Sequence, residues 1–151
     1  MERSGVERPE VFMTKDCIDE LQIEANEQKV ALVLIIEDNP AQQRLFWLIK
    51  DAVGMIPCVV GNSAEALEAV SHARFNLIML NLHIPHVEAL ECARKIRLLE
   101  AERGTKTPII AVTANAMPGD RERCLDAGMD DYLAKPFPLV LLKEKIIQWA
   151  A

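Results

Sequence analysis

The stretch "ALVLIIEDNPAQQRLFWLIKDAVGMIPCVV", residues 31–60, decides the fold. It opens on an apolar run, "ALVLII" (31–36), which reads as a strand buried on both faces. "NPAQQRLFWLIKDAVG" follows with the punctuation of a helix. Asn39 suits the N-cap, Pro40 the first helical position and Gln42 a capping box, and Gly54 can end it. "IPCVV" (56–60) is short and apolar again, so the unit is strand, helix, strand.

The same rhythm continues downstream. "NSAEALEAVSHA" (62–73) has Asn62 and Glu65 at capping-box spacing, with Ala66, Leu67 and Val70 on one face. "LIML" (77–80) is the third strand, followed by a helix from about Val87 to Glu100 with Leu90, Ala93 and Ile96 inward. "PIIAV" (108–112) is the fourth strand, and "PGDRERCLDAG" (118–128) a short helix closed by Gly128. "DYLA" is the fifth strand and "PLVLLKEKIIQWA" (138–150) the last helix. Five strands alternating with five helices predict an α/β fold, a parallel sheet covered on both sides. "LLEAERGTK" (98–106) reads as a solvated helix end and loop. Trp47 and Trp149 read as packing residues.

Composition narrows the function. The chain has 151 residues, half of them hydrophobic, enough for one domain with a real core. No apolar run is long enough to cross a bilayer and the N-terminus lacks the pattern of a secretory signal. The four cysteines, Cys17, Cys58, Cys92 and Cys124, form no CxxC pair, so thiols in a reducing cytoplasm are expected. Residues 1–29 hold eight acids and four bases, −4 of the net −6, and there is no basic stripe to suit nucleic acid. Those residues stand outside the strand–helix rhythm as an N-terminal extension to a domain spanning 30–151. Ile18, Leu21 and Ala25 share a helical face there, which allows an extension that is partly helical or disordered. A frayed or solvated leader is the preferred reading over the end of a coiled coil that pairs two chains.

In an open parallel sheet, functional groups gather beyond the carboxyl ends of the strands. Those ends supply Glu37 and Asp38, then Asn81, Thr113 and Lys135. Two acids suit a divalent cation; a hydroxyl and a lysine suit phosphoryl oxygens. His83 and His86 in "HIPH" lie near the acids, but a solvated loop is preferred to a zinc or nickel site. A flavin or nucleotide carrier is disfavoured, because "EDN" at the first strand end would repel phosphate.

"VLIIEDNP", "NLIMLNLHIPHVEALE", "TPIIAVTANAM" and "AGMDDYLAKPF" together resemble the receiver domain of two-component response regulators, most of all receivers attached to hybrid histidine kinases. The resemblance implies a flavodoxin-like (βα)5 fold with strand order 2-1-3-4-5. It matches Glu37 and Asp38 to the acidic metal-binding pair and the backbone carbonyl of His83 to a third contact for Mg2+. Thr113 falls on the switch hydroxyl, Tyr132 on the switch aromatic and Lys135 on the family's lysine.

Asn81 falls on the phosphoacceptor position, where the family has aspartate. An amide oxygen is a poor nucleophile, and losing a carboxylate weakens magnesium ligation, so a weak or vestigial Mg2+ site is expected. Lys135, deprived of that carboxylate, should lean toward Glu37 or Asp38. "VEA", Val87 to Ala89, stands where the family usually has Met-Asp-Gly, which favours natural degeneracy over a single engineered Asp-to-Asn change.

The expectation is thus a non-enzymatic pseudo-receiver that docks a histidine kinase, a histidine-phosphotransfer protein or another signalling protein. The alternative is an ordinary receiver disabled at position 81. A homodimer is also foreseen through the face of the 118–128 helix, the fifth strand and the last helix. There Arg121, Arg123, Asp130, Asp131, Lys143 and Lys145 offer mixed charge.

Overall fold

The computed structural model describes residues 14–81, 86–114 and 117–150, with the backbone alone at 86 and 87. Five strands, β1 (Ala31–Ile36), β2 (Met55–Val60), β3 (Leu77–Asn81), β4 (Ile109–Thr113) and β5 (Asp131–Ala134), form one sheet. All neighbours run parallel in the order β2-β1-β3-β4-β5, the flavodoxin-like arrangement. β-Branched and leucine side chains fill both faces, as a doubly covered sheet requires. Alternate residues divide between two apolar clusters. Leu32, Leu34, Ile36, Ile56, Ile78 and Leu80 face one side; Val33, Ile35, Met55, Leu77 and Met79 face the other.

Helices α2 (Pro40–Val53) and α6 (Leu139–Ala150) cover the second side through Phe46, Val53, Leu142 and Ile146. Helices α3 (Ser63–His72), α4 (His86–Arg103) and α5 (Asp120–Asp126) cover the first. The helix signals work locally. Asn39 Oδ1 accepts from the Gln42 N–H at 3.1 Å, Asn62 Oδ1 accepts from the Glu65 N–H at 2.9 Å, and Gly54 closes α2 at φ +79°. The return arms of both capping boxes go elsewhere. Glu65 Oε1 accepts from the Gly61 N–H at 2.7 Å, and the Asn39 N–H donates to Glu37 Oε2 at 3.0 Å.

Three expectations need correction. Residues 15–28 are not a solvated leader: α1 (Lys15–Gln28), capped by Thr14, buries Ile18, Leu21 and Ala25 in the first cluster beside β2 and α3. Amphipathic spacing outweighs the acidic composition once a sheet face is there to receive it. α5 is shorter than expected, because Asp120 Oδ2 accepts from the Met117 N–H at 2.9 Å and holds Pro118 and Gly119 in a turn. α4 runs a turn further than expected, and Glu100 in "LLEAERGTK" is buried rather than solvated.

Candidate functional site

Strand register brings the expected residues to one edge of the sheet. Ile36 pairs with Leu80, Asn81 with Val112 and Thr113 with Ala134, so Glu37, Asn81, Thr113 and Lys135 all stand at the carboxyl ends of adjacent strands. Their exposure differs. Glu37, Asn81 and Thr113 are buried at 1%, 4% and 2%, whereas Asp38, the next residue, is exposed.

A carboxylate this deeply buried needs donors around it. Glu37 has several. Asn81 Nδ2 donates to Oε1, the Lys135 ammonium lies 3.8 Å from the same oxygen, and the Asn39 N–H occupies Oε2. Its backbone is held too: the Glu37 N–H donates to Val60 O at 2.9 Å, and Gln43 Nε2 donates to Glu37 O. Lys135 leans toward Glu37 as its chemistry demands, and its Nζ donates to Gln42 Oε1 at 3.4 Å. The space beneath, lined by Ile36, Phe46, Met79 and Val112, has no room for a water molecule, with a cavity volume of about 0 Å³.

Tyr132 packs against the first apolar cluster, and its hydroxyl is buried with no hydrogen-bond partner among the described residues. Burial first, and then the charge of Asp120, push that phenol above its ordinary value, with Arg123 pulling the other way. His83 lies outside the described residues, as does the side chain of His86. Among the described residues no group of three or more His, Cys, Asp or Glu side chains is arranged to hold a metal ion. Hard oxygen donors suit Mg2+ in kind. However, both Glu37 oxygens are already engaged, and Asn81 turns its NH2 toward the site, so the arrangement fits a cation poorly.

Gln42 and Gln43 are the residues the sequence reading missed. Spacing assigned Gln42 to a helix cap, but the first turn of α2 faces the strand ends and both glutamines turn into the site. Beside them runs a mostly apolar groove of about 260 Å³ between α2 and the β5–α6 connection, lined by Leu45, Phe46, Ile49, Phe137 and Leu139. Of the lining residues Leu45 and Leu139 are exposed, and so are Leu48 of α2 and Val140 of α6.

On the α5–β5–α6 face, much of the charge is engaged within the chain. Asp131 accepts from Lys145 Nζ at 2.6 Å and from Trp149 Nε1 at 2.8 Å, Asp130 accepts from Arg97 at 2.7 Å, and Arg123 pairs with Asp120. Among the described residues no helix is long and apolar enough to cross a membrane.

The response regulator receiver domain model matches residues 33–147. The sensor histidine kinase GacS of Pseudomonas protegens is 36% identical over 118 residues, 78% of this chain and 13% of that protein. The signal transduction histidine-protein kinase BarA of Shigella flexneri is 39% identical over 114 residues, 74% of this chain and 12% of that protein. The chain therefore spans about an eighth of the length of these curated relatives. Among solved structures, it resembles the receiver domain of sensor histidine kinase PA1611 from Pseudomonas aeruginosa, which holds a magnesium ion in its active-site cleft. That match has a TM-score of 0.70 and 36% identity, over 80% of this chain and 98% of that one. The Saccharomyces cerevisiae Ssk1 receiver, crystallised with the phosphotransfer protein Ypd1, matches with a TM-score of 0.70 and 29% identity, over 79% and 88%. With the sheet order, the strand-end cluster and these matches in agreement, the chain belongs to the response regulator receiver domain family of two-component and phosphorelay signalling.

Proposed function

We propose that this chain is a receiver that accepts no phosphoryl group at residue 81 and works as a non-enzymatic docking module. One observation carries the reading: the Asn81 amide donates into the buried Glu37 carboxylate, with Lys135 against the same oxygen. Phosphoryl acceptance needs an oxygen nucleophile at that position, and the amide lone pairs are delocalised into the C–N bond. The cation that would balance incoming phosphate finds its ligand, Glu37, already satisfied, so magnesium binding is weak. The cluster replaces a chemical switch with a fixed hydrogen-bonded plug.

The partner is a histidine kinase or histidine-phosphotransfer protein, docking on α2 beside the β5–α6 connection. The apolar groove there, lined by exposed Leu45 and Leu139 with Phe46, Ile49 and Phe137, supplies the hydrophobic centre such an interface needs. The complex of the Ssk1 receiver with Ypd1 is a precedent in a relative. The α5–β5–α6 face is less suited to a charge-matched homodimer, because Asp131 and Lys145 already satisfy one another.

The test is incubation of wild type and Asn81→Asp with acetyl phosphate and magnesium, read by intact mass and lability to hydroxylamine. Wild type should gain no acyl phosphate, and an acyl phosphate on its residue 81 sinks the reading. Robust uptake by Asn81→Asp means one substitution disabled an otherwise sound receiver. No uptake means the surroundings, "VEA" at 87–89 included, have drifted as well.

A further inference from the structure

α1 precedes the stretch that matches the receiver family, which begins at residue 33, yet it is built into the core. Two features define its attachment. The first is a compact contact face: Ile18, Leu21 and Ala25 share an apolar cluster with Ile56 and Cys58 of β2 and Val70 of α3. The second is a two-residue hinge, Lys29 and Val30, between the end of α1 and the start of β1. Lys29 lies in the left-handed region at φ +58° and ψ +46°, where the Lys29 N–H caps Asn26 O at 3.3 Å and the Val30 N–H caps Ala25 O at 3.0 Å. Among the described residues it is the one non-glycine with positive φ. Glycine is the usual residue at such a helix end, because an L side chain there crowds the following carbonyl oxygen.

A short hinge held in a strained conformation, attached to a terminal helix that docks through three side chains, is a geometry that favours exchange between copies. We propose that α1 is an exchangeable clasp, docking on the β2–α3 face of its own chain in the monomer and reciprocally on that of a second copy in a two-fold dimer, with Lys29 as the hinge. The occupant is set by complementarity: the face already fits α1, and symmetry lets each contact be remade between chains. Opening the hinge frees Lys29 from its left-handed conformation, so the exchanged form gains what the closed form holds as strain. At low concentration the tether favours the closed monomer, because its own α1 is always near.

Size-exclusion chromatography with light scattering, across a concentration series of the full chain, tests this. Lys29→Gly relieves the closed hinge and should weaken dimerisation about tenfold. Lys29→Pro cannot adopt a positive φ and should shift the chain to dimer. Adding Leu21→Asp to Lys29→Pro removes the docking residue and should return it to monomer. A dimer that survives Leu21→Asp, or identical self-association in wild type, Lys29→Gly and Lys29→Pro, overturns the proposal. Should Lys29→Pro fail to unfold cooperatively, the comparison of Lys29→Gly with wild type decides alone: no weakening overturns it.

Discussion

At the scale of single residues, the question is what keeps Glu37 content in a dry pocket. Its oxygens face the Asn81 amide, the Lys135 ammonium and the Asn39 N–H, which together supply the positive field a cation would otherwise give. Asn81→Asp exchanges a donor for a second anion in direct contact with the first. In EDTA this variant should lose about 1–3 kcal/mol of stability, the usual penalty for an unsatisfied or repelled buried group. Magnesium should restore it, since a ligand that binds only the folded state stabilises by mass action. Wild type should unfold at the same urea midpoint with and without magnesium. Equal magnesium stabilisation of both proteins would contradict the self-satisfied cluster. Asn81, Glu37 and Lys135 were legible in the sequence because each ends a strand, and parallel strands share one functional edge. Gln42 and Gln43 were not, because an amide in a first helical turn serves a cap or a neighbouring loop equally well, and only the positions of Lys135 for Gln42 and of the Glu37 carbonyl for Gln43 decide between them.

At the scale of elements, strands and most helix starts followed from local pattern, whereas helix ends followed from distant partners. Arg97 shows why. From α4 its guanidinium donates to Gly128 O at 2.8 Å, Thr107 O at 2.7 Å, Asp130 Oδ2 at 2.7 Å and Glu100 Oε1 at 2.6 Å. Asp130 and Glu100 then accept from the Ile109 and Thr107 N–H groups at 2.9 and 2.8 Å. This fork ties α4 to the starts of β4 and β5, so a stretch that looks solvated by composition becomes a buried joint. No periodicity marks it, since the contacts cross up to 33 residues. Gly128 sits under the fork at φ +103°, and an added Cβ would lie 3.0 Å from Arg97 Cγ. Gly128→Ala should therefore cost about 1–3 kcal/mol, from backbone strain and displacement of Arg97. Arg97→Met should cost about 3 kcal/mol, since it leaves the buried Glu100 with the Thr107 N–H alone among the described residues, and Asp130 with the Ile109 N–H and the exposed Lys106 ammonium at 3.7 Å. Because both changes strike one joint, the double variant should lose less than the sum. Urea midpoints for the cycle check this, and strict additivity would mean that Gly128 matters for its backbone alone.

At the scale of the molecule, the two apolar clusters on either side of the sheet explain why the architecture was readable. Each strand had to be apolar on both faces, and each helix on one. What composition hid was where the charges go. Asp131, at the start of β5, is 5% exposed and takes Lys145 and Trp149 from α6 together with the Tyr132 N–H. Burial alone would raise its carboxyl, but the Lys145, Tyr132 and Trp149 hydrogen bonds outweigh that and hold it below the usual aspartate value. The sign follows from linkage. A depressed folded value means that the unfolded chain binds the proton more readily. This contribution to stability is complete above the unfolded value of about 3.9 and is lost as pH falls through the lower folded value. Wild type should therefore lose part of its stability below about pH 4, with the β5–α6 contact loosening first. Asp131→Asn should be less stable at neutral pH by about 2–3 kcal/mol, since it leaves the Lys145 charge without its partner. It should also show a shallower loss on acidification. Urea unfolding of both proteins from neutral pH down to about pH 3, followed by tryptophan emission in a Trp47→Phe background so that Trp149 alone reports, measures the difference. Parallel pH profiles would mean that the Asp131 pair does not set the acid limit of the fold.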